Sequence, residues 1–389
     1  MFANLGPLPA DPLLVLIDMH RRDPRPDKID LGVGVYRDAA GDTPVLASVK
    51  AAEAQLLAEQ DSKSYLGPEG DMRFVELLAP ILFGAGYRHG DRLTGVQTPS
   101  GTGALRLGAE LIARARPDAR VWIGTPSWPI HAPIFGRAGL EVEAHRLFDE
   151  ATRELDFAGM MAGIERAVPG DVLLLHACCH NPTGAGFTIE QWAELAIWMA
   201  TRGVVPFIDL AYQGLGDGLE ADAAGLRIVL QAVPEALIAY SCDKNFGLYR
   251  DRVGALWVQA GSSAAIGPIT DNVLTLARSL WSMPPDHGAA LVRLILESEL
   301  LIADWHQELD AMRGRLNGLR TAFAVMHPRL APIGRQRGMF AILPLSPEQV
   351  VQVREDHGIY MAGSGRINVA GLQEATIPRI ATALLPFFD

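Results

Sequence analysis

Short apolar runs alternate along the middle of the chain with stretches whose apolar residues recur at helical spacing. This is the pattern of βα units around a mostly parallel sheet. The apolar runs predict strands over 120–123, 172–177, 204–208, 237–240 and 254–258. The periodic stretches predict helices, for example over 103–116 and 190–201. From His287 to about Phe323 the residues Leu291, Leu294, Ile295, Leu301, Trp305, Leu309, Met312 and Leu316 keep helical spacing, which predicts one long helix or two in succession. Beyond it, 338–343 and 366–369 read as strands of a smaller α+β unit, which the segment 29–36 is expected to join. A large domain is therefore expected at 46–310 and a small one built from both chain ends. Two predicted strands end in polar turns, His180-Asn181-Pro182-Thr183-Gly184 and Asp209-Leu210-Ala211-Tyr212. In open α/β sheets ligands sit outside the carboxyl ends of the strands, so a site is expected there.

The chain has 389 residues, 49% of them apolar and 20% charged, enough for more than one domain with a buried core. Its basic residues less its acidic ones, 34 − 45, give a net charge of −11. Such an acidic chain is a poor match for nucleic acid or an anionic membrane surface, and neither is an expected partner. No apolar stretch approaches the roughly 20 residues that span a bilayer, and the first residues carry no basic and apolar leader pattern. Cys178, Cys179 and Cys242 are the only cysteines. Free thiols and a reducing compartment, the cytoplasm, are expected. Of the 34 basic residues only Lys28, Lys50, Lys63 and Lys244 are lysines. Coding bias toward arginine explains the count, yet any chemistry that needs a neutral amine must draw on these four.

The familiar nucleotide fingerprints fail. Gly32-Val33-Gly34 and Gly101-Thr102-Gly103 both begin a G-x-G-x-x-G, but Arg37 and Arg106 occupy the last position. H-E-x-x-H and C-x-x-C are missing, so no metal is expected. Ser100-Gly101-Thr102-Gly103 opens a helix, where free N–H groups and two hydroxyls suit a phosphate; an ordinary Ser/Thr cap is the plainer alternative. Lys244 follows the strand at 237–240, whereas the other lysines have polar or helix-surface settings. If an amine attacks a carbonyl it is Lys244, the alternative being a solvated loop lysine. Asp209 follows the apolar run 204–208 and must be paired there, either as a structural cap or as partner to a cationic ring nitrogen, with Tyr212 on the same turn. Trp128, between prolines, is either core or a plate for a planar ligand. A phosphate cup, a stacking aromatic, an Asn-Pro-Thr-Gly turn, an aspartate with a tyrosine, a Ser-x-x-Lys and then Arg252 are, in that order, the pieces a pyridoxal phosphate enzyme needs.

Leu31-Gly-Val-Gly-Val-Tyr36, Ser100-Gly-Thr-Gly-Ala-Leu-Arg106, Pro126-Ser-Trp-Pro129, Cys178-Cys-His-Asn-Pro-Thr-Gly184, Asp209-Leu-Ala-Tyr-Gln-Gly214, Lys244-Asn-Phe-Gly-Leu-Tyr249 and Ser364-Gly-Arg-Ile-Asn-Val-Ala-Gly371 carry a resemblance that runs nearly end to end. On them the chain resembles the fold-type I, class I aminotransferases of the aspartate/aromatic amino-acid subgroup. The resemblance implies an α/β fold, with a mostly parallel seven-stranded sheet between helices and a small α+β domain. It divides the chain into an arm at 1–14, a small domain at 15–45 and 311–389, and a large domain at 46–310. It implies a ping-pong transfer of the amino group of aspartate, tyrosine or phenylalanine to 2-oxoglutarate, with a β-decarboxylase or lyase on the same fold as the alternative.

Lys244 would then hold pyridoxal 5'-phosphate and shuttle the proton between substrate and cofactor. Asp209 would keep the pyridine nitrogen protonated, with His131 behind it. Asn181 and Tyr212 would bond the ring oxygen, and Trp128 would stack on the ring. Ser100, Gly101, Thr102, Ser241 and Arg252 would bind the phosphate, joined by Tyr65 of a second subunit. Gly34, Trp128, Asn181 and Arg366 would meet the substrate, Arg366 clamping its α-carboxylate. Arg278 of the neighbouring subunit would take a second carboxylate, in a homodimer whose N-terminal arms cross over. Arg37, Thr43 and Ser64 look like the polar set of aspartate enzymes, while Met283, close to the substrate side chain, suits an aromatic one. One departure stands out. Asp243 lies where the family commonly has serine or alanine beside the phosphate, so it is expected either to turn away or to be compensated by Arg252 or Arg250.

Overall fold

Seven strands form the central sheet: β1 (Leu93–Pro99), β2 (Arg120–Thr125), β3 (Glu141–Arg146), β4 (Val172–His176), β5 (Val205–Leu210), β6 (Ala236–Ser241) and β7 (Val253–Gln259). The structure, a computed structural model, describes residues 1–388 apart from 8, 9, 11, 88 and 89. Strand order is β1-β7-β6-β5-β4-β2-β3; β7 is antiparallel to both neighbours and the other pairings are parallel. Both faces of the sheet are covered, which is why its strands read as continuous apolar runs. Val172, Leu174, Phe207, Leu237 and Ala239 belong to one core, while the intervening Leu173, Leu175, Ile208, Ile238 and Tyr240 belong to the other. One helix packs so closely that a Cβ at Gly108 would collide with the Phe207 ring.

The five predicted strands are all present, and the two that pattern alone does not reveal are β1 and β3. In β1 the fully buried Gln97 and Thr98 interrupt the apolar pattern, and β3 is an edge strand with Glu141, Glu143 and Arg146 in it. The predicted helix at 190–201 spans Ile189–Arg202. Thr188 and Gln191 close a capping box at its start and Gly203, at φ 67°, ends it. The expectation for 287–323 resolves into two helices, His287–Glu297 and Glu299–Ala324, the second capped by Ser298. The expected boundary at 310 falls inside this second helix.

The chain ends meet beside the sheet. Ile29–Asp30 pairs in parallel with Ile359–Tyr360, and Phe340–Ile342 pairs antiparallel with Arg366–Asn368. Leu31 N–H donates to the Tyr360 carbonyl at 2.8 Å and Asn368 N–H to the Leu31 carbonyl at 2.7 Å, so Gly32 to Tyr36 are anchored next to Arg366. Of the expected arm, residues 8, 9 and 11 lie outside the described residues; the helix Pro12–Arg22 begins within its last positions.

Candidate active site

The carboxyl ends of the parallel strands converge on one edge of the sheet. Trp128 follows β2, Asn181 follows β4, Asp209 and Tyr212 lie at the end of β5, and Ser241 to Lys244 leave β6. Because β7 runs the other way, Arg252 just before it reaches the same edge. Gly34, Ser100, Gly101, Thr102, Trp128, Asn181, Asp209, Tyr212, Ser241, Lys244, Arg252 and Arg366 all line one cavity of about 320 Å³. Tyr65 and Arg278 do not. Tyr65 is 93% exposed, and Arg278 is exposed in the last turn of the helix Ile266–Leu280, its Nη1 donating to Ser282 Oγ at 2.7 Å. Arg37 pairs with Asp30, Thr43 donates to the Tyr36 carbonyl, and Met283 Sδ accepts the Leu66 N–H, so the expected selectivity set also lies off the cavity.

At one end of the cavity is Asp209. A carboxylate only accepts, so His131 Nε2 carries the proton donated to Asp209 Oδ2 at 3.0 Å, and the Ser127 hydroxyl faces His131 Nδ1 at 2.9 Å. His176 Nε2 lies 3.8 Å from the same oxygen. Burial alone would raise the Asp209 pKa, but the hydrogen bond and electrostatic pull of His131, with that of Lys244, outweigh it and hold the carboxyl below its ordinary range. Asp209 therefore stays ionised where a cationic ring would need it. Burial pulls His176 down to about 3, helped by His131 and opposed by Asp209, so that imidazole is neutral. Sequence reasoning missed His176. Its signal was its place at the end of β4, in register with Asp209.

Lys244 lines the middle of the cavity, its Nζ 5.3 Å from the centre of the Tyr212 ring. Burial lowers its pKa, against the opposing pull of Asp243 and Asp209, which brings the amine toward the neutral form that attacks a carbonyl. Burial raises the pKa of Tyr212, with Asp209 adding to it, so the phenol keeps its proton and can donate it. Arg366 stands over Phe340 at 4.7 Å and donates to the Gly32 carbonyl at 3.1 Å. Sequence patterning predicted a strand at Phe340 but not that its ring would line the site.

At the other end, Ser100 to Thr102 form the first turn of the helix Ser100–Ala115, which starts three residues before the predicted one. No side chain caps it. The Ser100 hydroxyl instead donates to Asp243 Oδ2 at 2.6 Å, which removes the plain capping alternative. Gly254 allows the close approach beneath, since a Cβ there would meet the backbone of Ser100 and Tyr240. Asp243 does not turn away: Arg252, not Arg250, pairs with it.

The cavity offers polar groups still in need of a partner. Asn181 Oδ1 and Arg366 Nε are buried without any hydrogen bond. Orphans of this kind suit a ligand that brings a hydroxyl to donate to the first and a carboxylate to accept from the second. With a helix N-terminus and Arg252 for an anion, and Asp209 for a cationic nitrogen, the residues fit a phosphorylated pyridine aldehyde. Among the described residues two groups bring metal-binding atoms within 4.8 Å, His131 with His176 and Asp209, and Cys178 with Cys179 and Asp222. In the first the carboxylate is already bonded to His131, and in the second Asp222 accepts from the N–H groups of Gly214, Gly216 and Asp217.

The family model for aminotransferase class I and II matches residues 26–384. The chain is 50% identical over 385 residues to a tyrosine aminotransferase of Rhizobium meliloti, covering 98% of both proteins. It is 42% identical over 393 residues to an aspartate aminotransferase of Escherichia coli, covering 99% of both. Among solved structures it is similar to an aromatic-amino-acid aminotransferase from Burkholderia pseudomallei covalently bound to pyridoxal phosphate, with a TM-score of 0.97, 36% identity and full coverage of each chain.

Proposed function

Because this chain belongs to the class I and II aminotransferases, a family that works with pyridoxal 5'-phosphate, we propose that it moves the amino group of aspartate, tyrosine and phenylalanine to 2-oxoglutarate in two successive half-reactions. The single observation that carries the reading is the convergence of Lys244, Asp209, Asn181, Tyr212, Arg252 and Arg366 on one cavity. The cofactor, when bound, supplies the electron sink for the bond broken at the substrate α-carbon and carries the amino group between half-reactions.

The chain's own residues supply the rest. Lys244 presents an amine whose proton affinity burial has lowered, so it holds the cofactor between turnovers and moves a proton at the α-carbon once displaced. Asp209, kept ionised by His131, holds positive charge on the ring nitrogen. Asn181 and Tyr212 meet the ring oxygen, and Trp128, half-buried and nearly perpendicular to the His131 ring, packs on the cofactor ring. Ser100, Gly101, Thr102, Ser241 and Arg252 take the phosphate. Arg366 pairs with the α-carboxylate, and Gly34 leaves room there, since a Cβ would come within 2.8 Å of the Phe340 ring. We take 46–310 as the cofactor domain, 15–45 with 311–389 as the small domain and 1–14 as an arm.

The working enzyme in this reading is a homodimer, with Tyr65 and Arg278 serving the partner's cavity. Supporting it, Leu57 is 88% exposed, and Leu66, Met72 and Leu280 are exposed as well, in segments near those two residues in the chain. The cytoplasm is the compartment we assign, in keeping with three free thiols.

The test is a donor panel with 2-oxoglutarate, followed by borohydride reduction of the loaded protein and peptide mapping. The expected outcome is glutamate and the matching keto acid in equal amounts, with the reduced adduct on Lys244. Aspartate consumed without glutamate would mean another reaction on this fold, and an adduct on Lys28, Lys50 or Lys63 would overturn the site.

A further inference from the structure

The cavity holds a second buried carboxylate that the reaction above does not use. Asp243 is 1% exposed, yet its side chain reaches the cavity. Its Oδ2 accepts the Ser100 hydroxyl at 2.6 Å and pairs with Arg252 Nη1, while its Oδ1 accepts the Val253 N–H at 3.1 Å. Ser100 and Arg252 are two of the groups assigned to the cofactor's phosphate. Both also have left-handed backbones, at φ 67° and 56°, a conformation that non-glycine residues keep only when their surroundings hold them there. Asp243 ties the two together.

A serine hydroxyl has one proton, so Ser100 cannot donate to Asp243 and to a phosphate oxygen at once. A guanidinium has five N–H groups, so Arg252 can serve both anions, but one positive charge then faces a carboxylate and a phosphate together. Resting on the cofactor reading, we propose that Asp243 is a built-in competitor for the cofactor's phosphate. It holds Ser100 and Arg252 in place while the site is empty, and it must share or release them when the phosphate enters. Retention of the cofactor is thereby weakened in favour of exchange.

The cost of this competition falls on the phosphate, whereas the pull of Asp243 on Lys244 is felt by any aldehyde bound there and drops out of the ratio of two affinities. Asp243→Asn removes one negative charge and keeps an acceptor for Val253; Asp243→Ala removes the acceptor as well and stands beside it, so that a folding defect in one variant leaves the other readable. Equilibrium dialysis of the cofactor-free proteins against pyridoxal 5'-phosphate, and separately against pyridoxal, gives the ratio of the two affinities. The ratio is expected to rise about tenfold in both variants through tighter binding of the phosphate ester relative to pyridoxal. An unchanged or lower ratio overturns the proposal. If wild type binds both aldehydes and forms a visible absorption band, such a result refutes the competitor alone. If wild type forms no band with either, the cofactor reading falls and this proposal with it.

Discussion

Asp209, Asn181 and Lys244 stand on strands or on the turns that leave them, whereas Tyr65 and Arg278 stand on an exposed loop and at the last turn of an exposed helix. The first set is fixed by the sheet: His176 and Asp209 are neighbours in register, and His131 reaches the same carboxylate. The second set has the Arg278–Ser282 hydrogen bond, and its two segments are tied together by the Leu66–Met283 and Gln60–Asp286 links. In the proposed reading, chemistry common to every amino acid, at the α-carbon and α-carboxylate, is held by the sheet edge of one chain, and the sorting of side chains is left to a rim that a second copy would complete.

The largest expected loss, because every donor shares it, is on the sheet side. Asp209→Ala should slow α-proton removal by about two to three orders of magnitude, because it removes the fixed charge facing the ring nitrogen. Asp209→Glu should keep much of the rate. Single-turnover measurements check this, and a near-normal rate in the alanine variant would remove Asp209 from the chemistry.

On the rim the effect should be selective. Arg278→Leu should lower kcat/KM for aspartate roughly a hundred- to a thousandfold, since it removes the partner of a second carboxylate, while phenylalanine changes by less than about tenfold. Loss of both donors alike would mean that the rim does not sort side chains. Absence of phenylalanine turnover in wild type would restrict the enzyme to acidic donors.

The smallest effect concerns stability. Burial holds His176 at about 3 and holds His180 well below the ordinary imidazole value. Unfolded, both take up protons below about pH 6.5. The folded state does not, so stability is complete above that pH and declines as the pH falls toward 3. Asp209 has a depressed pKa, so its contribution is present above its unfolded value of 3.8 and is lost below it. The Tm of the cofactor-free protein should fall between about pH 7 and 5, with a shallower slope in His176→Gln. A flat wild-type profile would contradict the buried neutral imidazoles.

The same division governs what the chain discloses as a sequence. Lys244 could be singled out because only four lysines compete for its role, and Asp209 because a carboxylate after an apolar run has to be paired. The β1 strand stays hidden, since the buried Gln97 that interrupts its pattern is satisfied by a contact distant in the chain, its bond to the Pro285 carbonyl. Ser100 and Asp243 are 143 positions apart, and nothing local predicts that one would hold the other. The places of Tyr65 and Arg278 follow only from the family resemblance, because no period or cap marks a residue meant for another chain.

Sharing of the site between two copies is tested most directly by mixing two defective chains. Lys244→Ala and Arg278→Leu homodimers should each have almost no aspartate turnover. Random reassortment puts about half of the molecules in mixed dimers, each with one cavity that has both native residues, so about a quarter of wild-type activity should return. Failure of any activity to return, with mixed dimers demonstrably formed, would contradict a site completed by the second copy.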